Sequence, residues 1–184
     1  MQKEESNMGL VDDQISTLFS AEKIGNRIKE LSREIRDYCK DKNDVVFISL
    51  LKGSFIFFAD ITREIGLNVK IDFLQASSYG TKAHSSLRVI IKKDIDINIE
   101  DCYVILFDDI VDTGLTCKKI IEYLKMKNPK KIKTCALFNK PSERLTELQI
   151  DYVGFEIDNH FIVGYGIDFN EKHRTLKDVA KINK

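Results

Sequence analysis

The residues best suited to chemistry follow an apolar run in the middle of the chain. Asp108 and Asp109 come directly after the run 104–107, and a Thr-Gly-x-Thr turn follows at Thr113, Gly114 and Thr116. Adjacent carboxylates suit sugar hydroxyls or a magnesium ion, which prefers hard oxygen ligands. The start of a helix offers unpaired N–H groups and partial positive charge to a phosphate. A phosphorylated sugar would satisfy both features.

Simpler interpretations account for only part of this segment. Asp112 or Thr113 could serve as an ordinary helix N-cap, because both residue types are favoured there, but that leaves Asp108 and Asp109 unexplained. A phosphatase of the haloacid dehalogenase type needs two aspartates separated by one residue, which this spacing does not provide. A dinucleotide site is disfavoured because the Gly-x-Gly at 164–166 lacks a third glycine and opens no helical pattern.

Alternating helix and strand patterns would place these residues at the edge of a sheet. Apolar residues three or four positions apart predict three helices, at 21–38, 55–65 and 115–124. Apolar runs predict strands at 45–51, 69–76, 87–91, 103–107, 132–138, 152–157 and 161–165. We therefore expect an α/β fold with an open, mostly parallel, twisted sheet flanked by helices. Such sheets bind ligands beyond the carboxyl ends of their strands.

The remaining segments are predicted to be irregular. The polar stretch 77–86 has no apolar periodicity and favours a mobile loop, and the C-terminal residues favour frayed helix. The length suits one domain over residues 1–184, with 1–19 and 176–184 peripheral.

Composition excludes several classes of partner. Lys plus Arg is 29 and Asp plus Glu is 29, so there is no positive field to recruit nucleic acid. No apolar run is long enough for a membrane span or a signal peptide. The four cysteines form no C-x-x-C pair and suit reduced structural thiols. We expect a cytoplasmic protein with a small-molecule partner.

Five segments in order resemble one enzyme family. The segment 106–116 resembles the phosphoribosyl pyrophosphate signature of type I phosphoribosyltransferases. Segments 51–54, 76–80, 139–142 and 161–168 are similar to the hypoxanthine-guanine branch of that family. The resemblance covers roughly residues 20 to 175. It implies the type I phosphoribosyltransferase fold, with a small hood over the C-terminal ends of the strands.

The resemblance also implies substrates and a reaction. The enzyme would transfer the 5-phosphoribosyl group from phosphoribosyl pyrophosphate to a 6-oxopurine, hypoxanthine and also guanine, in purine salvage with Mg²⁺. It would form a homodimer or homotetramer. A nucleotide-binding regulator of the same fold is an alternative, disfavoured because no helix-turn-helix or basic surface accompanies the domain. A same-fold enzyme for another base, such as xanthine, is the closer alternative.

Roles for individual residues follow from the same resemblance. Asp112 would accept the purine proton, which is chemistry that a nearby carboxylate can perform. Lys140 would read the purine O6, since an ammonium only donates hydrogen bonds and therefore discriminates against adenine. The ribose and 5-phosphate would contact Asp108, Asp109, Thr113, Gly114, Leu115 and Thr116. The pyrophosphate would contact Lys52, Gly53 and Arg174. Whether the Lys52–Gly53 peptide is cis stays open, and an ordinary strand-to-helix turn with Ser54 as N-cap is the alternative.

The remaining implied roles concern the base, the lid and the metal. Phe161 would stack on the base while the Ile162 backbone contacts its edge. Ser78 and Tyr79 would begin a lid that excludes water from the reacting centre. Asp168 would bind magnesium, together with Asp108 and with Asp109 acting through water or the ribose.

Overall fold

The computed structural model describes residues 15–79 and 88–182, which form three helices and two sheets. The helices are α1 (Ala21–Cys39), α2 (Phe55–Ile65) and α3 (Leu115–Lys125). The strands are β1 (Ile15–Phe19), β2 (Val45–Leu51), β3 (Lys70–Tyr79), β4 (Arg88–Lys93), β5 (Tyr103–Val111), β6 (Lys131–Asn139), β7 (Tyr152–Glu156), β8 (Ile162–Val163) and β9 (Val179–Ile182).

The larger sheet has six strands in the order β4-β3-β2-β5-β6-β7. Strands β3, β2, β5, β6 and β7 are parallel, and β4 is antiparallel to β3 at one edge. The predicted open, mostly parallel sheet flanked by helices is therefore confirmed. The carboxyl ends of β2 and β5 lie next to each other, so the residues that follow them meet at one edge.

Alternate residues of the central strands supply two hydrophobic cores, one on each face of the sheet. Phe47 and Phe107 pack with α1 and α2 on one face, where the Phe107 ring contacts those of Phe47, Phe57 and Phe58. Ile48 and Leu106 pack with α3 on the other face. Burial on both faces explains why β2, apart from Ser49, and the first part of β5, 103–107, are apolar.

The helix boundaries follow the residues that cap them. The Ser20 hydroxyl accepts a hydrogen bond from the Lys23 amide (3.2 Å) and begins α1. Gly66 adopts the left-handed conformation (φ 63°) and ends α2, as predicted. No helix in the described part of the chain is long and apolar enough to cross a membrane.

A smaller sheet forms the hood and uses both ends of the described chain. Its order is β1-β9-β8, and all pairs are antiparallel. Phe19 of β1 packs against the rings of Phe138 and Phe155 near the carboxyl ends of β6 and β7. Residues 15–19 and 179–182, expected to be peripheral, therefore build this sheet, and the prediction of C-terminal frayed helix is wrong.

Two other boundaries differ from the predictions because strand pairing extends beyond the apolar runs. Strand β3 continues through Tyr79 because Ser77, Ser78 and Tyr79 pair with β4, so the predicted loop cannot begin at residue 77. Residues 80–86 of that predicted loop lie outside the described residues. Strand β8 is only Ile162–Val163, since the chain turns at Gly164.

Candidate active site

The paired carboxylates lie within the last part of β5 and not beyond it. The strand continues to Val111, which is opposite Asn139 of β6, so Asp108 and Asp109 are held by the sheet. Burial is the main cause that raises the pKa of both carboxyls, and the Asp109 charge raises the pKa of Asp108 further, well above its usual range. The interaction with Asp108 in turn opposes the rise in the pKa of Asp109.

The turn after β5 leaves the start of α3 open to an anion. Gly114 occupies the N-cap position with a left-handed backbone (φ 79°), and no side chain of the described residues caps the helix. The nearest contact is a long one, 3.4 Å from the Leu115 amide to the Thr113 hydroxyl. Neither Asp112 nor Thr113 is the N-cap, so the ordinary-cap interpretation is wrong. The free N–H groups can serve a phosphate.

The segment after β2 lies against Asp109. A Cβ atom added to Gly53 would come within 2.1 Å of the Asp109 Oδ2 atom. Gly53 therefore has to be a glycine for the Asp109 carboxylate to occupy its place. The cis peptide joins Leu51 and Lys52, one bond before the Lys52–Gly53 peptide. Ser54, in turn, hydrogen-bonds Ser49 through the two hydroxyls (2.6 Å) and braces the turn.

A second glycine brings the hood to the same place. A Cβ atom on Gly166, whose φ is 101°, would lie 2.1 Å from the Gly53 carbonyl oxygen. The neighbouring Tyr165 is buried and donates a hydrogen bond to Asp60 of α2 (2.5 Å). These contacts fix the turn that leads to Asp168.

Four charged side chains meet beside Asp109. Arg174 contacts Asp168 (2.8 Å), Glu171 (3.0 Å) and, through Nη1, the Gly166 carbonyl oxygen (2.9 Å). Lys52 pairs with the other oxygen of Glu171 (3.0 Å). The positive charge of Arg174 opposes the rise in the pKa of Asp109. The structure thus brings Lys52, Gly53, Asp109, Asp168 and Arg174 together.

Of the residues expected to bind a base, Lys140 lies on the other side of the β5 tip, whereas Phe161 lies in the hood beside Phe169. Lys140 is only 6% exposed, and its ammonium has neither a hydrogen bond nor an ion pair within the described part of the chain. Its backbone amide donates to the Val111 carbonyl (3.0 Å), so it stays next to β5. Phe161 is 46% exposed and rests edge-on against Phe169 (5.3 Å between ring centroids). The adjacent Ile162 is buried.

Comparisons with known proteins identify the family. The phosphoribosyl transferase domain family matches residues 14–170. The hypoxanthine-guanine phosphoribosyltransferase of Aquifex aeolicus is 44% identical over 91% of this chain and 94% of its own length. The hypoxanthine phosphoribosyltransferase of Escherichia coli K12 is 38% identical over 91% and 95% of the two chains.

Solved structures agree with the sequence relatives. A hypoxanthine-guanine phosphoribosyltransferase of Bacillus anthracis, 43% identical, superimposes with a TM-score of 0.87 over 91% of this chain and 98% of that one. A hypoxanthine phosphoribosyltransferase of Staphylococcus aureus, 33% identical, gives 0.88 over 94% and 92%.

The chain belongs to the phosphoribosyltransferase family.

Membership of this family confirms the resemblance in the sequence and makes the protein a transferase.

The donor atoms of the site fit magnesium. Asp108, Asp109 and Asp168 offer hard carboxylate oxygens, and the raised pKa values of the first two show that burial and proximity disfavour negative charge there, which a cation would offset. No cluster of three metal-binding side chains occurs in ranges 15–79 and 88–182. One or two carboxylates plus substrate oxygens are how magnesium is usually held.

Two phosphoribosyltransferase site residues were missed in the sequence. Glu171 joins the two cations expected to bind pyrophosphate. Arg144 donates to the Asp112 carbonyl oxygen (3.1 Å) and to the Asn139 side chain. Arg144 follows the base-binding segment by a single short turn, a spacing that could have indicated its proximity to that segment. Of the expected lid, Ser78 and Tyr79 lie in β3, and residues 80–87 lie outside the described residues.

Proposed function

We propose that this phosphoribosyltransferase joins a 6-oxopurine, hypoxanthine and also guanine, to the 5-phosphoribosyl group of phosphoribosyl pyrophosphate. The products would be inosine or guanosine 5′-monophosphate and pyrophosphate. The observation that carries the choice of base is the Lys140 side chain beside the tip of β5, which is only 6% exposed and forms no hydrogen bond or ion pair with the described residues. The names of the relatives support the same class of base.

The sugar phosphate is assigned to the turn between β5 and α3. The 5-phosphate accepts hydrogen bonds from the uncapped amides and hydroxyls of this turn, namely those of Thr113, Gly114, Leu115 and Thr116. The ribose hydroxyls face Asp108 and Asp109. This assignment is supported by the absence of a capping side chain at Gly114 and by the position of both carboxylates at the strand end.

Pyrophosphate is assigned to the cluster of charges beside the hood. Lys52, the Gly53 amide and Arg174 bind its oxygens. Both cations pair with the exposed carboxylate of Glu171, so they already converge on one anionic group. A pyrophosphate oxygen can take the place of that carboxylate, because phosphate groups make charge-assisted hydrogen bonds with the same donors.

The base is held between Lys140 and Phe161. The Lys140 ammonium donates to the purine O6, and adenine would place an amino group against it. Once a bound base shields the ammonium from water, a mismatched base leaves it unpaired and costs about 1 to 3 kcal/mol or more. The exposed Phe161 ring offers a face for stacking, and the Ile162 backbone contacts the edge of the base.

The chemistry is a displacement at the anomeric carbon of the ribose. N9 of the base forms the new bond to C1 while the bond from C1 to the pyrophosphate oxygen breaks, and its electron pair leaves with pyrophosphate. Asp112 accepts the proton that N7 loses. Its side chain is exposed beside the base site, as a proton acceptor must be, and its backbone is fixed by Arg144.

Magnesium is the cofactor that these residues would hold. Asp168 and Asp108 would hold it, with Asp109 acting through water or the ribose. When bound, it would neutralise charge on the pyrophosphate oxygens and on the carboxylates. We also propose that Ser78 and Tyr79 begin a lid that closes over the site. The family resemblance further implies that the enzyme is a homodimer or homotetramer.

A direct assay tests this function. Pyrophosphate release is measured with hypoxanthine, guanine, xanthine and adenine as acceptors, with and without Mg²⁺. We expect turnover with the first two bases that depends on Mg²⁺, and little with adenine. A preference for xanthine would favour a same-fold enzyme for that base. Binding of phosphoribosyl pyrophosphate without turnover of any base would favour a regulatory protein of the same fold.

A further inference from the structure

Arg144 spans the tips of two neighbouring strands. Its Nη1 atom donates to the Asp112 carbonyl oxygen after β5 (3.1 Å), and its Nη2 atom donates to the Asn139 side-chain oxygen at the end of β6. Asn139 is 7% exposed and pairs with Val111 in the sheet. The Arg144 guanidinium therefore links Asp112, the first residue of the proposed phosphate-binding turn, to Asn139, the residue before Lys140.

The packing of Arg144 against the turn is close. A Cβ atom on Gly114 would lie 2.7 Å from Arg144 Nη1 and 2.8 Å from its Cδ atom, so the side chain crosses directly over that glycine. The next residue adds a backbone bond, from the Leu145 amide to the Thr113 carbonyl oxygen (3.0 Å). The segment after Lys140 thus covers the outer side of the phosphate-binding turn.

A short turn is what returns Arg144 to this position. Residues Pro141–Glu143 form a single 3-10 turn, with the Glu143 amide bonded to the Lys140 carbonyl (3.2 Å) and the Arg144 amide to the Pro141 carbonyl (3.2 Å). Any shift of Lys140 is therefore transmitted within one turn to Arg144, and from there to the backbone of Asp112.

We propose that Arg144 is a positioning residue that couples the base site to the 5-phosphate site. This inference rests on the proposed function, because it assumes that the two sites take parts of one nucleotide. The fork of two donors holds Asp112 and Asn139 in fixed register, which a lysine cannot do with a single ammonium. An error of 1 Å between reacting parts costs on the order of 10²-fold in rate, so the register matters for catalysis.

The experiment compares a whole nucleotide with its two fragments. Dissociation constants are measured for inosine 5′-monophosphate, ribose 5-phosphate and hypoxanthine, with the wild-type enzyme and with Arg144→Ala. We expect the nucleotide to lose about 5- to 150-fold in affinity, the usual range of coupling between sites, while each fragment alone changes much less. Equal losses for ribose 5-phosphate and for the nucleotide would overturn the proposal, because Arg144 would then support the phosphate turn alone.

Three further variants separate positioning from folding. Arg144→Lys should restore part of the coupling. Asn139→Ala removes one acceptor and should reproduce the loss seen in Arg144→Ala, which keeps the proposal testable if the latter does not fold. Arg36→Ala is the matched control, since Arg36 also clamps two carbonyl groups, those of Glu64 and Ile65, at the far end of α2. If Asn139→Ala kept the wild-type coupling between the base site and the 5-phosphate site, the proposed role of Arg144 in linking Asp112 to Asn139 would be refuted.

The same data distinguish failure of this inference from failure of the proposed function. If the wild-type enzyme neither binds inosine 5′-monophosphate nor turns over hypoxanthine, the function is wrong. If it does both and Arg144→Ala preserves the coupling, only the role of Arg144 is wrong.

Discussion

Adding one methyl group to Gly53 should disable the enzyme without unfolding it. The backbone at Gly53 does not itself require glycine, because its φ lies outside the left-handed range, whereas a Cβ atom would meet the Asp109 carboxylate at 2.1 Å, 2.6 Å and 2.8 Å. Ordinary contact begins at 3.4 Å, so the carboxylate must move by 1.3 Å or the segment after β2 must retreat as far. Either movement separates groups assigned to the ribose and to the pyrophosphate.

The magnitude follows from that displacement. A misplacement of about 1 Å costs on the order of 10²-fold in rate, equivalent to roughly 2.7 kcal/mol at 1.36 kcal/mol per factor of ten. We expect Gly53→Ala to lower kcat/KM for phosphoribosyl pyrophosphate by that factor, measured by pyrophosphate release at saturating hypoxanthine. Thermal unfolding should show a folded protein, because α2 and both cores are intact.

Gly25→Ala is the matched control for this change. Gly25 lies inside α1, and a Cβ atom there meets nothing within 4 Å. The substitution should stabilise the protein by about 0.5 to 1 kcal/mol through helix propensity and leave kcat/KM unchanged. If Gly53→Ala were as active as Gly25→Ala, the contact with Asp109 would not govern catalysis and the argument would fail.

Three other substitutions test the remaining parts of the site. Asp112→Asn should lower kcat by about 10² to 10⁴-fold in steady-state assays and leave the affinity for phosphoribosyl pyrophosphate nearly unchanged, and unaltered turnover would remove Asp112 from the mechanism. Lys140→Gln, whose amide both donates and accepts, should reduce the preference for hypoxanthine over adenine by roughly tenfold or more in competing-substrate assays. An unchanged preference would contradict the proposal that Lys140 donates a hydrogen bond to the purine O6. Asp108→Asn should stabilise the ligand-free protein increasingly as pH rises, as followed by urea unfolding between pH 4 and 8. The pKa of Asp108 is raised in the folded state, so folding becomes less favourable as pH rises above the usual pKa of an aspartate, a loss that Asn cannot suffer. A difference that is constant with pH would show that the folded state does not raise the pKa of Asp108.

The central part of the fold could be predicted because its signals are local. The run at 45–51 is apolar except for Ser49 and is observed as Val45–Leu51 without change, since a strand buried on both faces is built almost entirely of apolar residues. The helix through Phe55 ends at Gly66, as its sequence indicated. The aspartate pair and the turn after it were recognised for the same reason, because all of their residues are contiguous.

The parts that the sequence did not reveal depend on contacts between distant segments. Strand β9 contains Lys181 and follows a polar stretch. It becomes a strand only by pairing with β8 and with β1, which lies 160 or more residues earlier. Ser77 lies in a polar run, yet pairing with Ile90 extends β3 past it. In the sequence alone, Arg144 looks like any solvent-exposed arginine. Its two acceptors, the Asp112 carbonyl and the Asn139 side chain, become neighbours only when β5 and β6 pair.

The segments of the site can approach one another closely because glycines at two positions carry no side chain. Gly53 admits the Asp109 carboxylate and Gly166 admits the Gly53 carbonyl, so three segments approach at backbone distance where any other residue would separate them. The approach buries Asp108 and Asp109, and this burial, together with repulsion between the carboxylates there, opposes folding in the absence of ligands. The cores on both faces of the sheet must supply the stability that the buried charges and their repulsion remove. A cation and a sugar that relieve the repulsion bind the folded state alone, and so substrate and Mg²⁺ together should stabilise this enzyme more than the two do separately.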